Sequence, residues 1–429
     1  MREYMKAFAA AGALVGLGSL GGCDFKVTNP GPVQSPFLND PSAAVAIVNG
    51  AGRDLSDALN WIAYTGASPA REIFPAGSTG SFGITPFEQV GKLTDDESNT
   101  HWNLAQRARY EAEDGMARLQ TSLGTGYASN KNVAQILIWA GYANRLLGEN
   151  MCQAVINGSA AMPYTAFLDS AEVRFTAALA VATAAKDSKD STAALAGRAS
   201  VRVDKGDWAG AIADAAGIAD NFVYAMPYYT TDQDQYNRIY WAVANQPYRA
   251  HTVWNTVYDQ YYTNTKDPRV SWSSDPKQPH GDAAVLQIGQ VAWHFQTKYA
   301  KKDAGINLSS GWEMRLIQAE KDLMGNDLAS AMPLINKHRV ALGLQPWTAT
   351  TIDDGWTALK RERGIELWLE ARRMNDLRRW KAAGTPGALD SLEMPGTGPN
   401  GEPSYLTQQD LCFPIPLSEQ QTNPHLSGP

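Results

Sequence analysis

An all-α scaffold of short-jointed helical pairs, carrying long aromatic-rich insertions, is the fold class this sequence predicts. Three observations predict it. Apolar residues recur close to every 3.6 positions in most of the segments between residues 40 and 383, the period of an amphipathic helix. Two such segments are split by only three residues each, Lys205-Gly206-Asp207 and Gly325-Asn326-Asp327, and joints that short make antiparallel neighbours. No sustained alternation of strands and helices occurs, which argues against an α/β enzyme fold.

The elements follow in chain order. Residues 1–22 read as a leader: Arg2 and Lys6 give a basic start, and Ala7 to Leu20 is an apolar run too short to span a bilayer comfortably but suited to export. The run ends Leu20-Gly21-Gly22-Cys23, which resembles a bacterial lipobox, with Cys23 the lipidated residue; an ordinary secretory signal with a chance cysteine is the alternative. Residues 23–40 then form the lipidated cysteine and a proline-containing tether, and 41–429 a single helical domain. Asp40 to Asn60 is expected to be helical, with Pro41 in the first turn, and Trp61 to Thr94 to be loops rich in Gly, Ser and Pro. Helices are expected over Asn99–Leu119, over Val133–Leu147 with Gly148 ending it, and over Phe167–Ala185. Thr192–Asp204 with Trp208–Ala219, and Trp312–Met324 with Leu328–Leu342, form pairs of the tetratricopeptide kind, small residues such as Ala196, Gly197, Ala211 and Ala215 permitting close approach. One long charged helix is expected from Ile352 to Ala383, stopped by Gly384 and Pro386.

Composition narrows the functional classes. The chain has 429 residues, 44% hydrophobic and 19% charged, with a formal net charge of −7. No basic run stands out, so nucleic acid is not an expected partner. There is no His-Glu-x-x-His motif, phosphate-binding loop or nucleophile elbow, and the six histidines show no ligand spacing, so neither metal nor cofactor is expected. Two G-x-G-x-x-G matches, Gly16–Gly21 and Gly396–Gly401, lack the strand-turn-helix context that would give them meaning. Asp95-Asp96-Glu97 could be imagined as a glycosidase cluster, but adjacent carboxylates rarely present the opposed pair that reaction needs. With Cys23 acylated, Cys152 and Cys412 remain, and in an exported protein they are expected to pair; two separate buried thiols are the alternative.

The insertion Phe222–Tyr262 holds twelve aromatic residues among 41, interleaved with Asn237, Arg238, Asn245, Arg249 and Asn255. Such rings can fill a core. Alternating with amides and guanidinium groups, they also suit a recognition surface, where flat faces stack on sugar rings and polar groups read hydroxyls. The ligand-site candidates are Trp61, Tyr64, Trp241, Trp254, Trp272 and Trp293, rings that lie on or beside loops rich in polar residues.

The segment Arg361 to Trp380 is the most diagnostic. Glu370 and Arg373 are three apart and Arg372 and Asp376 four apart, so both pairs could meet on a helix surface, as a solvated strip or partly buried among Trp368, Leu369, Met374, Leu377 and Trp380. Glu366-Leu367, Glu370-Ala371-Arg372-Arg373 and Asp376 to Trp380 resemble the signature of the RagB/SusD family of surface nutrient-binding lipoproteins. Further motifs follow the family in order: Gly141-Tyr142-Ala143, the Gly-Asp-Trp joint at 206–208, Asp267-Pro268-Arg269, Met314 to Glu320, and the closing Pro414-Ile415-Pro416 with Asn423-Pro424. Gly364 departs from the pattern, and a glycine inside a helix costs about 1 kcal/mol relative to alanine. The N-terminal third matches least, so no ligand residue carries over by position.

The resemblance implies an outer-membrane lipoprotein of a Gram-negative bacterium, facing the exterior. It would capture a nutrient oligomer, oligosaccharide first and peptide second, and deliver it without bond cleavage to a SusC-like TonB-dependent transporter. Glu370, Arg373, Asp376 and Arg379 would then be structural, locking the last helix to the scaffold. A lipid-anchored tetratricopeptide-type scaffold for protein segments and a cryptic glycoside hydrolase are the other classes.

Overall fold

In the computed structural model, residues 35–245, 248–396 and 404–426 are described. The leader, Cys23 and most of the tether lie outside them. The fold is the predicted helical one. α1 (Ala44–Gly66), α2 (Asn99–Leu123), α3 (Lys131–Asn150), α4 (Thr165–Ala184), α5 (Ser188–Asp204) and α6 (Trp208–Ala215) pack successively. α7 (Val257–Thr265) begins within the insertion, and α8 (Gly311–Met324), α9 (Leu328–Ala341), α10 (Ile352–Glu366), α11 (Arg373–Ala383) and a short α12 (Leu417–Thr422) follow it. Among the described residues the longest strand pair, Val223–Met226 with Ile306–Ser310, is antiparallel and shifts register between Tyr224 and Ala225.

Aromatic knobs and missing side chains set the helix spacing. Phe175 of α4 lies against both Gly141 of α3 and Gly197 of α5; a Cβ at either would fall within 2.7 Å of the ring. Gly148 does the same for Leu168, at 2.5 Å. It is therefore an interior helix residue, and α3 runs on to Asn150 rather than ending at Gly148. Local propensity favours a stop there, but burial of Leu168 wins. The two predicted joints are built alike. Asp207 and Asp327 are N-caps whose carboxylates accept from Gly210 N and Ser330 N, both at 3.0 Å. The left-handed residue before each is Gly206 (φ 76°) or Asn326 (φ 59°), the two residue types that tolerate it best.

The expected single helix over 352–383 is broken. α10 ends at Glu366 and α11 begins at Arg373, with Leu369 and Ala371 both at φ 61°. Non-glycine residues in that region cost on the order of 1–3 kcal/mol each and persist only where their surroundings over-determine them. Here they do. Leu369 N donates to Glu72 Oε1 at 2.8 Å, Trp368 Nε1 to Glu72 O at 3.1 Å, Lys298 Nζ to Trp368 O at 2.7 Å and Tyr299 Oη to Leu369 O at 3.1 Å.

The corner redirects every charge of the signature. Neither Glu370–Arg373 nor Arg372–Asp376 is an ion pair among the described residues. Glu370 takes Lys298 (2.8 Å) and Asn307 (2.9 Å), and Arg373 takes Glu393 (2.6 Å). Arg372 reaches Glu313 (2.9 Å) and Glu149 (3.2 Å). Asp376 accepts from Arg363 (2.9 Å) and Arg379 (2.8 Å), while Arg379 also holds Glu320 (2.5 Å). Glu370, Arg372, Arg373 and Asp376 are all at most 5% exposed, so the solvated-strip reading does not hold. Gly364 now has a physical reason: a Cβ there would lie 3.1 Å from both the Arg373 guanidinium and the Tyr258 hydroxyl.

A disulfide joins Cys152 to Cys412 across 260 residues, and Phe413 extends the tie by accepting from Cys152 N (2.9 Å) and donating to Asn150 O (2.8 Å). Closing so long a loop removes much conformational freedom from the unfolded chain. The Cys152→Ser, Cys412→Ser double variant is expected to lose about 2–4 kcal/mol in urea unfolding; an unchanged midpoint would show that the backbone contacts alone fix the tail.

Candidate functional site

Where α1 ends decides the site. It runs to Gly66, so Trp61 and Tyr64 are helical residues rather than loop residues. Asn60, 3% exposed, uses its side-chain amide as a backbone substitute. Its Nδ2 donates to Tyr236 O and its Oδ1 accepts from Arg238 N, both at 2.7 Å, drawing the insertion back onto the first helix. From the other side Asn237 N donates to Lys302 O (2.7 Å) and Asn237 Nδ2 to Ala304 O (2.8 Å). The chain then makes a π-helical turn, Tyr240–Ala244, a widened turn frequent at functional sites.

These restraints assemble a continuous aromatic wall. Ring centroids are 5.3 Å apart for Tyr236 and Trp241, 5.0 Å for Trp241 and Tyr248, and 5.2 Å for Tyr248 and Phe82. Beside Phe82, Trp61 carries the Arg238 guanidinium 3.4 Å above its ring. Arg238 Nε and Nη2 both donate to Phe82 O, at 3.1 and 2.5 Å. Gly83 (φ 92°) lets the chain pass the indole, since a Cβ would fall 2.4 Å from it. Together these rings line a cleft of about 620 Å³, with Ser78, Ser81, Asp57, Asp234 and Asp282 around it. That volume suits a small-molecule or oligomer segment. Burial lowers the pKa of the Arg238 guanidinium, while Tyr64, Asp57 and Asp234 pull it back up. Burial raises the Asp57 carboxyl, and Arg53 and Arg107 oppose it.

A groove of similar size, about 640 Å³, runs beside α5, α8 and α11. It includes Glu320 and Arg379, which are committed to each other, and its rings, Tyr164, Trp208, Trp356 and Trp380, do not form a contiguous wall. Among the described residues no group of His, Cys, Asp and Glu could hold a metal ion. Asp95 is tied to the tail through Gln420 (3.2 Å), and the 95–97 acids do not line the cleft.

Of the six predicted ligand residues the structure brings two together, Trp61 and Trp241. Tyr64 is fully buried, its hydroxyl 3.0 Å from His251 Nδ1, and burial and Arg71 push that imidazole down to about 3. Trp293 is 1% exposed and donates from Nε1 to Val243 O at 2.9 Å, supporting the π turn from behind. Trp254 packs edge-on against Phe74 at 5.3 Å, in a separate apolar cluster. Trp272 stacks on His294 at 4.0 Å, and its Nε1 donates to Asp259 O at 3.2 Å. Tyr64 and Trp293 are thus core residues, and Trp254 and Trp272 lie off the cleft. Tyr236, Arg238 and Tyr248 belong to the aromatic and polar set of the insertion but not to the six candidates, and Asn60, Phe82, Asp234 and Asp282 were missed. The spacing Tyr236-x-Arg238-x-x-Trp241 was visible, but not that it folds onto α1.

The comparisons with known proteins agree with this architecture. The profile of the SusD family matches residues 170–427. No curated protein sequence matches the chain. Among solved structures, a SusD superfamily protein of Parabacteroides distasonis ATCC 8503 superposes with a TM-score of 0.65 at 14% identity, covering 92% of this chain and 98% of that one. A SusD-like carbohydrate binding protein of Bacteroides vulgatus ATCC 8482 gives 0.63 at 16% identity, covering 90% and 97%. A laminarin-binding SusD-like protein gives 0.60 at 14% identity, covering 89% and 97%.

Proposed function

We propose, from the premise that this chain belongs to the SusD family, that it is a lipid-anchored outer-membrane protein which captures an oligosaccharide and passes it to a SusC-like TonB-dependent transporter. The observation that carries the reading is the aromatic cleft. Pyranose rings present apolar C–H faces that stack on indole and phenol rings, while their hydroxyls need polar partners at the edge. The wall Tyr236–Trp241–Tyr248 supplies the first requirement, and Ser78, Ser81 and the carboxylates supply the second. Laminarin binding by one structural neighbour, and the carbohydrate-binding description of another, support the same ligand class.

Function here is binding, with no bond broken. Asn60, Asn237 and the Arg238–Trp61 stack hold the wall in place before ligand arrives, which lowers the ordering cost of capture. Anchoring through Cys23 fits a chain in which no described helix is long and apolar enough to cross a membrane.

The test is titration of the full-length lipoprotein in detergent with neutral oligosaccharides. Trp241→Ala and Trp61→Ala should each weaken binding by about 2 kcal/mol, roughly 30-fold, with the unfolding midpoint little changed for Trp241→Ala and lowered for Trp61→Ala, which also removes the seat of Arg238. Trp254→Ala and Trp272→Ala should leave affinity unchanged. If the last two abolish binding and the first two do not, the site lies elsewhere. Recovery of a large barrel protein with the lipoprotein in gentle detergent tests the transport partner.

A further inference from the structure

The charges around the cleft narrow the ligand class further than its rings do, on the reading of the cleft as a glycan site. Three carboxylates line it, Asp57, Asp234 and Asp282, against one guanidinium, Arg238. Arg238 keeps its charge and offsets one of the three carboxylates, but its position is fixed: its face covers Trp61 at 3.4 Å and two of its N–H groups point at Phe82 O. Asp57 is balanced by Arg53 at 3.8 Å and Arg107 at 3.5 Å. Lys302 Nζ lies 4.5 Å from the Tyr236 centroid and 5.3 Å from that of Trp241, against the rings and not among the residues lining the cleft.

Asp234 and Asp282 remain. Asp282 Oδ1 accepts from Ser78 N at 2.8 Å, and no cation pairs with it among the described residues. The Asp234 carboxylate is exposed, and it acts on Arg238 only from beyond hydrogen-bond and ion-pair distance. An ionised carboxylate only accepts, and its two oxygens suit a pair of O–H donors. Adjacent sugar hydroxyls are such donors. A uronate or sulfate group instead brings acceptors of the same charge, and the chain's net charge of −7 has the same sign.

We propose that this cleft takes oligosaccharides free of carboxylate and sulfate groups, with Asp234 and Asp282 accepting hydroxyl protons from a sugar stacked on the Tyr236–Trp241–Tyr248 wall. The same two carboxylates repel acidic glycans.

The full-length lipoprotein in detergent is titrated with two sets of hexasaccharides. The neutral set is β-glucan, α-glucan, xylan and mannan; the acidic set is galacturonate, alginate and chondroitin sulfate. The best acidic ligand should bind at least about tenfold more weakly than the best neutral one at low salt, with the gap narrowing as salt screens the charges. In the Asp234→Asn, Asp282→Asn double variant the gap should shrink to about threefold or less, with the unfolding midpoint reporting that the fold is intact. An acidic ligand bound as well as any neutral one overturns the charge selectivity while leaving the cleft a glycan site. A wild-type gap that persists in the folded double variant overturns the role of these two aspartates. Binding of neither set overturns the glycan reading itself, and the inference with it.

Discussion

Replacing Asp376 by alanine is expected to cost about 3–5 kcal/mol of folding stability, because it strands buried cations rather than merely deleting a contact. Asp376 is 2% exposed and accepts from Arg363 and Arg379 at 2.8–2.9 Å. Arg363 is also 2% exposed, and its Nη1 already lacks a partner. Once the carboxylate is gone, this guanidinium has no other anion within salt-bridge distance among the described residues, while Arg379 keeps Glu320. The comparison is Glu172→Ala, which breaks a surface network with Arg202 and Lys205 and should cost about 0–1 kcal/mol. Equal urea midpoints for the two variants would mean that the signature charges relax into solvent and are not structural. The pH dependence has a definite sign. Arg363 and Arg379 hold the Asp376 carboxyl well below the ordinary aspartate range despite its burial. Its contribution is therefore fully present above the unfolded value of about 3.9 and is lost as pH falls from there toward the depressed folded value. Wild type should lose stability relative to Asp376→Ala across that acid window.

Trp293→Ala is the second large effect, about 3–5 kcal/mol, the cost of removing a fully buried indole. Trp293 is 1% exposed, packs on Phe295 at 4.6 Å and holds Val243 O at 2.9 Å. Its ring supports the π turn that presents Trp241, so ligand affinity should fall as well, but only alongside the midpoint. Trp241→Ala should show the opposite pattern, weaker binding with stability retained. If Trp293→Ala weakens binding with an unchanged midpoint, the ring touches ligand, as the sequence reading expected, and its place in the core is wrong.

How far each feature could be read depended on where its determinants lie. The Gly-Asp joints of the helix pairs and the stop at Gly384 are decided by a few neighbouring residues, so they were legible. Gly148 and Gly364 were not, because the side chains that need their empty space, Leu168, Arg373 and Tyr258, come from other elements. Trp61, Tyr64, Trp241 and Trp293 look alike in sequence, each a large ring near polar residues. Two face a cleft and two fill the core, which depends on how the insertion folds onto α1 through Asn60.

By itself, then, the sequence determined the helical class, the paired joints and the family, since periodicity, caps and ordered motifs are local. Only the tertiary structure decided the corner at Leu369 and Ala371 and the composition of the cleft. Both rest on partners far away in the chain: Glu72 for the corner, nearly 300 positions before it, and Asn60 for the cleft, some 176 positions before Tyr236. Contacts at such separations override local propensity when the groups that make them are buried and would otherwise go unsatisfied.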